Sequence, residues 1–162
     1  MSSAVDRTPC PACGAPLGGR AGCQRVFDQL SAAAWQDLTR GSVHNLVVDA
    51  YAMQHPEEYG KSAKSYFQHL TALGCGLEHH GEAQLYWSIA PTFEHTPPPP
   101  KPPLLVERGS LTIALVVGEA GSDYAARVRD WAAAVWLAYA SQHALAHERL
   151  AIAHRHRSGA RR

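Results

Sequence analysis

The chain has almost no charge imbalance: among 162 residues, 15 Lys and Arg face 14 Asp and Glu, a net of +1. Such balance excludes a global field that would gather nucleic acid or an anionic membrane. Long apolar runs are also missing. The longest, LTIALVV and WAAAVWLAYA, fall far short of the roughly 20 residues a bilayer span needs. There is no HExxH, no glycine-rich phosphate loop and no serine-centred nucleophile elbow, so no motif dictates a reaction. The opening MSSAVDRTPC lacks the charged-then-apolar pattern of a signal peptide, which makes a cytoplasmic location the expectation. The four cysteines should stay reduced there unless a metal holds them.

What is present is a helical pattern with an excess of histidine. Hydrophobic residues make up 46% of the chain, enough for one compact domain with a real core. The ten histidines titrate near neutrality, so positive charge should build below about pH 6.5. Met1 to Gly22 is rich in proline and glycine and reads as loop. From there Val26, Phe27, Leu30, Ala34 and Leu38 recur at helical spacing. Gly41 ends that helix or its loop, Ser42 caps a second from Val43 to His55, and Pro56 closes it. A third is expected from Ser62 to Leu73, with Gly74 and Gly76 breaking it. EAQLYWSIA reads as a weaker helix ending at Pro91.

PPPPKPP, Pro97 to Pro103, has to be an extended connector or, failing that, a ligand for a proline-binding domain. Residues 110–117 fit a strand or a short helix; without a second strand to pair with, helix is preferred. The last helix is expected to be continuous from Ser122 to His154, and HRHRSGARR to be a solvated basic tail with little call for nucleic acid. The organisation is therefore a zinc-knuckle-like segment over 1–22, a helical domain over 23–157 and a tail over 158–162. The fold class is mainly α, a bundle of about four to five helices.

CPACG, Cys10 to Gly14, is a zinc-knuckle sequence: two thiolates two residues apart can face one ion, and the glycine lets the backbone turn. Cys23 follows ten residues later. A redox CxxC is the competing reading, but that motif normally follows a strand, and this one lies in a Gly/Pro loop. Tetrahedral zinc needs a fourth ligand, with His44, His55 and Cys75 as candidates. If the first two helices form an antiparallel hairpin about Gly41, the end of the second returns to the start of the first. That brings His55 toward Cys23 and leaves His44 on the order of 25 Å away.

On the second helix His44, Val48, Tyr51 and His55 share a stripe, with Asp49 off it. His44 and His55 lie about 16 Å apart along the axis and cannot share an ion. An antiparallel third helix puts His69 near Val48. The last helix offers His143 and His147 on one face. His44, His69 and His143 are thus candidates for a second divalent site, with Asp49 or Tyr51 as the proton-handling group. The plainer reading is a polar network without metal, or histidines that never meet. Asp49, if buried, must be paired or protonated.

These residues carry a resemblance. CPxCG near the start, GC before the first helix, H-x4-DAYxxQHP, the histidine of SAKSYFQHL, LT after the proline-rich loop and RDWAAAVWLAYASQH resemble a bacterial family of unknown function, the family numbered 5946. The likeness runs from roughly Cys10 to His143. Cys10, Cys13, Cys23, His44, Asp49, Tyr51, Gln54, His55, His69, Trp131, Trp136 and His143 match its pattern. Cys75, His79, His80 and His147 do not belong to it and are demoted as ligands. The resemblance implies a grouping and no chemistry.

Two function classes follow. One is a binding or regulatory module with structural zinc, meeting a protein or small-molecule ligand. The alternative is a metal-dependent enzyme of hydrolase or oxidoreductase type, using a histidine-rich interhelical site with a metal-bound water.

Overall fold

The computed structural model describes residues 6–80 and 82–159. Seven α-helices run in order: α1 (Gly19–Ala33), α2 (Leu38–Gln54), α3 (Pro56–Tyr59), α4 (Ala63–Glu78), α5 (Ala83–His95), α6 (Gly121–Ala138) and α7 (His143–Gly159). There is no strand among the described residues, only an isolated antiparallel bridge between Pro9 and Pro16. No helix is long and apolar enough to cross a membrane. The fold is mainly α as expected, with more helices than four or five because the last expected helix is divided and the turn after His55 is itself a short helix.

The first surprise is the α1–α2 turn. It falls at residues 34–37, not at Gly41, because Asp37 caps α2 by accepting from the Arg40 amide at 2.7 Å. An aspartate at this position satisfies an otherwise orphaned donor. Gly41 and Ser42 therefore lie inside α2. Leu38, placed on the first apolar stripe by sequence, opens α2 instead and is 93% exposed, while Phe27, Leu30 and Ala34 are buried. Helix α3 is the short turn PEEY, with Pro56 at its first position, where a missing amide costs nothing.

Helix α4 runs straight through Gly74 and Gly76. A Cβ at Gly74 would lie 2.6 Å from Cη2 of Trp136, and one at Gly76 would lie 2.7 Å from Cδ2 of Leu46. These glycines are contact points for α6 and α2, not stop signals. Pro91 likewise sits within α5. The carbonyl it cannot serve is that of Trp87, on the exposed face where water can reach it.

The expected long last helix is two. Helix α6 ends at Ala138, a 3-10 turn spans Ala140–Gln142, and α7 begins at His143. Tertiary bonds impose the break. The buried Tyr139 hydroxyl donates to the Met53 carbonyl at 2.6 Å, and Gln142 accepts from Tyr66 at 2.9 Å. His143 then stacks on Trp136, centroids 3.7 Å apart, and donates to the Trp136 carbonyl at 2.8 Å. The same carbonyl also accepts from the Tyr139 amide at 3.0 Å, so the His143 bond ties the start of α7 to the end of α6. Helix α7 continues through His154 to Gly159; of the expected tail, residues 160–162 lie outside the described residues.

Residues 97–103 are non-helical, as a connector requires, and Ile113–Val116 is a single 3-10 turn. The core is organised on α2, which packs against α1, α4 and α6, while α4, α5 and α7 pack together at the other side. Trp131, Tyr51, Tyr66, Tyr124 and Tyr139 are its largest fully buried side chains. Cys10, Ala15 and Cys23 belong to the same continuous core, so the knuckle packs as part of the domain.

Candidate metal centre

The knuckle is a tight backbone loop. The Cys10 amide donates to the Ala15 carbonyl at 2.9 Å and Gly14 donates to Cys10 at 2.8 Å, with Gly14 at φ 79°. That φ is open to glycine at no steric cost. The Gly18 and Gly19 amides then return to the Thr8 carbonyl at 3.2 and 2.7 Å. Helix α1 leaves directly from this loop, and a Cβ at Gly22 would meet the Leu17 carbonyl oxygen at 1.6 Å. Only glycine lets the helix approach the knuckle so closely, and the next residue, Cys23, thereby reaches the other two cysteines.

Cys10, Cys13, Cys23 and His55 each offer one donor atom, all within 4.8 Å of one another. The Cys10 Sγ to His55 Nε2 distance is 3.5 Å, Cys23 Sγ to His55 Nε2 is 3.6 Å, and Cys13 Sγ to Cys23 Sγ is 3.7 Å. A tetrahedron with metal–sulfur bonds of about 2.3 Å and metal–nitrogen bonds of about 2.0–2.1 Å has S–S edges of about 3.8 Å and S–N edges of about 3.6 Å. The edges agree. The four residues are arranged to hold a metal ion, and the dimensions are consistent with zinc.

The surroundings suit the same role. His55 donates from Nδ1 to the Tyr51 carbonyl at 2.8 Å, which fixes the tautomer and turns the Nε2 lone pair toward the sulfurs. Its ring is stacked on Tyr51, which is itself stacked on Phe27, with centroids 3.9 and 4.1 Å apart. Tyr59 closes the stack edge-on, and both tyrosine hydroxyls donate to Gln24 Oε1. Cys10, Cys23 and His55 are buried and Cys13 half-buried. The hydrogen bond from Cys23 pushes the Cys13 thiol down to about 4, while that bond and burial push Cys23 up. Three thiolates can coexist in this space only around a cation.

His44, His69 and His143 do not form a metal-capable group among the described residues. His69 Nδ1 pairs with Asp49 Oδ1 at 2.8 Å, and the Tyr86 hydroxyl donates to Asp49 Oδ2 at 3.0 Å. Burial pushes the Asp49 carboxyl above its ordinary range, with His69 pulling it partly back. His44 faces Trp35, ring centroids 6.2 Å apart, with Nδ1 buried and unpartnered. His143 caps α6 as described. Helix packing separates the three, because the α6–α7 break sends His143 to Trp136. Tyr51 is 1% exposed and its hydroxyl is pushed up by burial; it is a wall of the centre.

Sequence reasoning passed over what Gln54 does. Its amide nitrogen donates to the Arg108 and Leu111 carbonyls at 3.1 and 2.8 Å, and its oxygen accepts from Trp131 Nε1 at 3.0 Å. Arg108 returns bonds to the Gln54 carbonyl and to Glu57. One glutamine thus pins the loop at 105–111 to α2 and α6. No sequence signal names those partners. That loop, the knuckle and the end of α6 enclose an open groove of about 670 Å³, lined by Cys10–Gly14, Val106–Ser110 and Leu137.

A family model described as a family of unknown function (DUF5946) matches residues 8–140, and the chain belongs to that family. The match covers the knuckle, the four metal-capable residues and six of the seven helices. No curated protein and no solved structure matches the chain.

Proposed function

We propose that this member of the DUF5946 family is a binding or regulatory module whose fold is completed by structural zinc. One observation carries the reading: four protein donors already span a closed tetrahedron in the interior. A catalytic zinc keeps a position for water or substrate, whereas a structural one is closed by the protein. His55, locked by its Nδ1 bond and the aromatic stack, is the fourth ligand in preference to His44 or Cys75. The other acid–base candidates support the same reading, since Asp49 is spent on His69 and Tyr86 and Tyr51 is sandwiched. The knuckle forms one wall of the 670 Å³ groove, so zinc occupancy would set the shape of the module's concave surface. Thiols kept reduced for a metal, with the buried Cys75 also free, fit the cytoplasm.

The test is metal analysis of purified protein beside thermal melting. One tightly held zinc per chain, lost on Cys10→Ser with a fall in Tm and retained on His44→Ala/His69→Ala, is the expected result. Protein that carries no zinc and melts unchanged in a strong chelator would sink the reading.

A further inference from the structure

A second group of metal donors gathers where the α4–α5 turn meets α7. His79 is the C-cap of α4, Glu82 the N-cap of α5, and His154 stands on α7. Their donor atoms lie within 4.8 Å of one another. His79 Nδ1 is 3.5 Å from Glu82 Oε1, and the His79 and His154 rings meet edge-on with centroids 5.6 Å apart. Glu82 makes no side-chain bond to cap α5, so its position is not explained by capping. Its second oxygen accepts from Arg157 at 3.2 Å, which leaves Oε1 directed to the histidines and orients the carboxylate, as carboxylate ligands commonly are oriented.

We propose that His79, Glu82 and His154 form a second cation site, taking a first-row divalent ion such as Zn²⁺ or Ni²⁺. Two imidazoles and one carboxylate suit such ions and disfavour Ca²⁺ or Mg²⁺, which prefer oxygen donors alone. The side chains of His79 and Glu82 are 31% and 42% exposed. Solvent can therefore reach the ion, and three protein donors leave coordination positions for water or a small anion. This arrangement is open where the cysteine centre is closed. The ligands come from three elements, so the ion would clamp α7 across the α4–α5 turn. His154 lies beyond the family match, which ends at residue 140, so that match does not extend over the complete site. The proposal is independent of the structural-zinc reading.

The experiment is calorimetric titration of Zn²⁺ into protein already carrying one equivalent, with metal content measured after dialysis. Wild type should take one further equivalent. His79→Ala/His154→Ala should weaken that event at least tenfold, and Glu82→Gln should weaken it less, while the first equivalent stays. The pair His143→Ala/His147→Ala, a competing pair of histidines on α7, should leave the second event unchanged. A wild type that takes no second equivalent would overturn the proposal. So would a second event that survives His79→Ala/His154→Ala, or one that disappears with His143 and His147. Protein that lacks the first equivalent still allows the test, because the second event is then assigned by the same two double variants.

Discussion

The two metal-capable groups of this protein differ in almost every physical respect. The Cys10, Cys13, Cys23 and His55 group is buried, supplied by a loop and two helices, and closed by four donors with an aromatic stack behind them. The His79, Glu82 and His154 group is half-exposed, supplied by helix ends and a surface helix, and has three donors with an arginine behind them. The first buries charge that only a metal can balance. The second would lose little without its ion, because exposed ion pairs contribute little to stability. An interior group of thiols ties the metal to folding, and a surface group of imidazoles ties it to occupancy alone.

The sharpest way to break that contrast is to remove a thiolate. Cys23→Ser should abolish the first metal equivalent and lower Tm by roughly 10 °C or more in calorimetry, since several kcal/mol are at stake and about 2–4 °C follows each one at this size. A Tm within a degree or two of wild type would make the interior site as dispensable as the surface one. Gly22→Ala comes next. Its Cβ collides with the Leu17 carbonyl, so the knuckle must separate from α1. A loss near the upper end of about 1–3 kcal/mol, with weaker retention of metal against a chelator, is expected in denaturant unfolding.

Gln54→Leu probes whether the knuckle side is held by the metal alone. It strands the Trp131 N–H and two loop carbonyls and should cost about 1–3 kcal/mol while leaving metal content at one equivalent. Metal lost with it would show that loop and knuckle are one unit. Smaller still is the pH response of Asp49. Its carboxyl is raised in the fold by burial, against His69, with Tyr86 and the charge of His44 also pulling it down. A raised carboxyl stabilises most below its unfolded value of 3.8 and loses that contribution as pH rises through the folded value. The Tm difference between wild type and Asp49→Asn should therefore shrink, or reverse, as pH rises above 4. Smallest of all, His154→Ala in protein dialysed to retain only the first metal equivalent should move stability by no more than about 0.5 kcal/mol. A larger loss would mean the surface group is structural even without its ion.

The readable and unreadable parts separate along the same line. CPACG and the following Cys23 carry their meaning in local spacing, and the return of an antiparallel second helix is enough to bring His55, not His44, to them. The glycines misled. Gly74 and Gly76 look like stops, yet each marks where another helix passes too close for a Cβ. The break between α6 and α7 has no Pro or Gly to announce it, because Tyr139 and Gln142 bend the chain through bonds to residues over 70 positions away. His79 is demoted as a ligand because it falls outside the family pattern, and no local spacing links it and Glu82 to His154 far downstream.

By itself the sequence determined the helical class, the knuckle and the impossibility of one ion spanning His44 and His55. Those rest on periodicities and rises that hold in any helix. Only the tertiary structure decided what Asp49, Gln54, His69 and His143 bond to and which distant histidines converge with Glu82. Such partnerships depend on which helix faces pack together, and that is settled by the whole core at once.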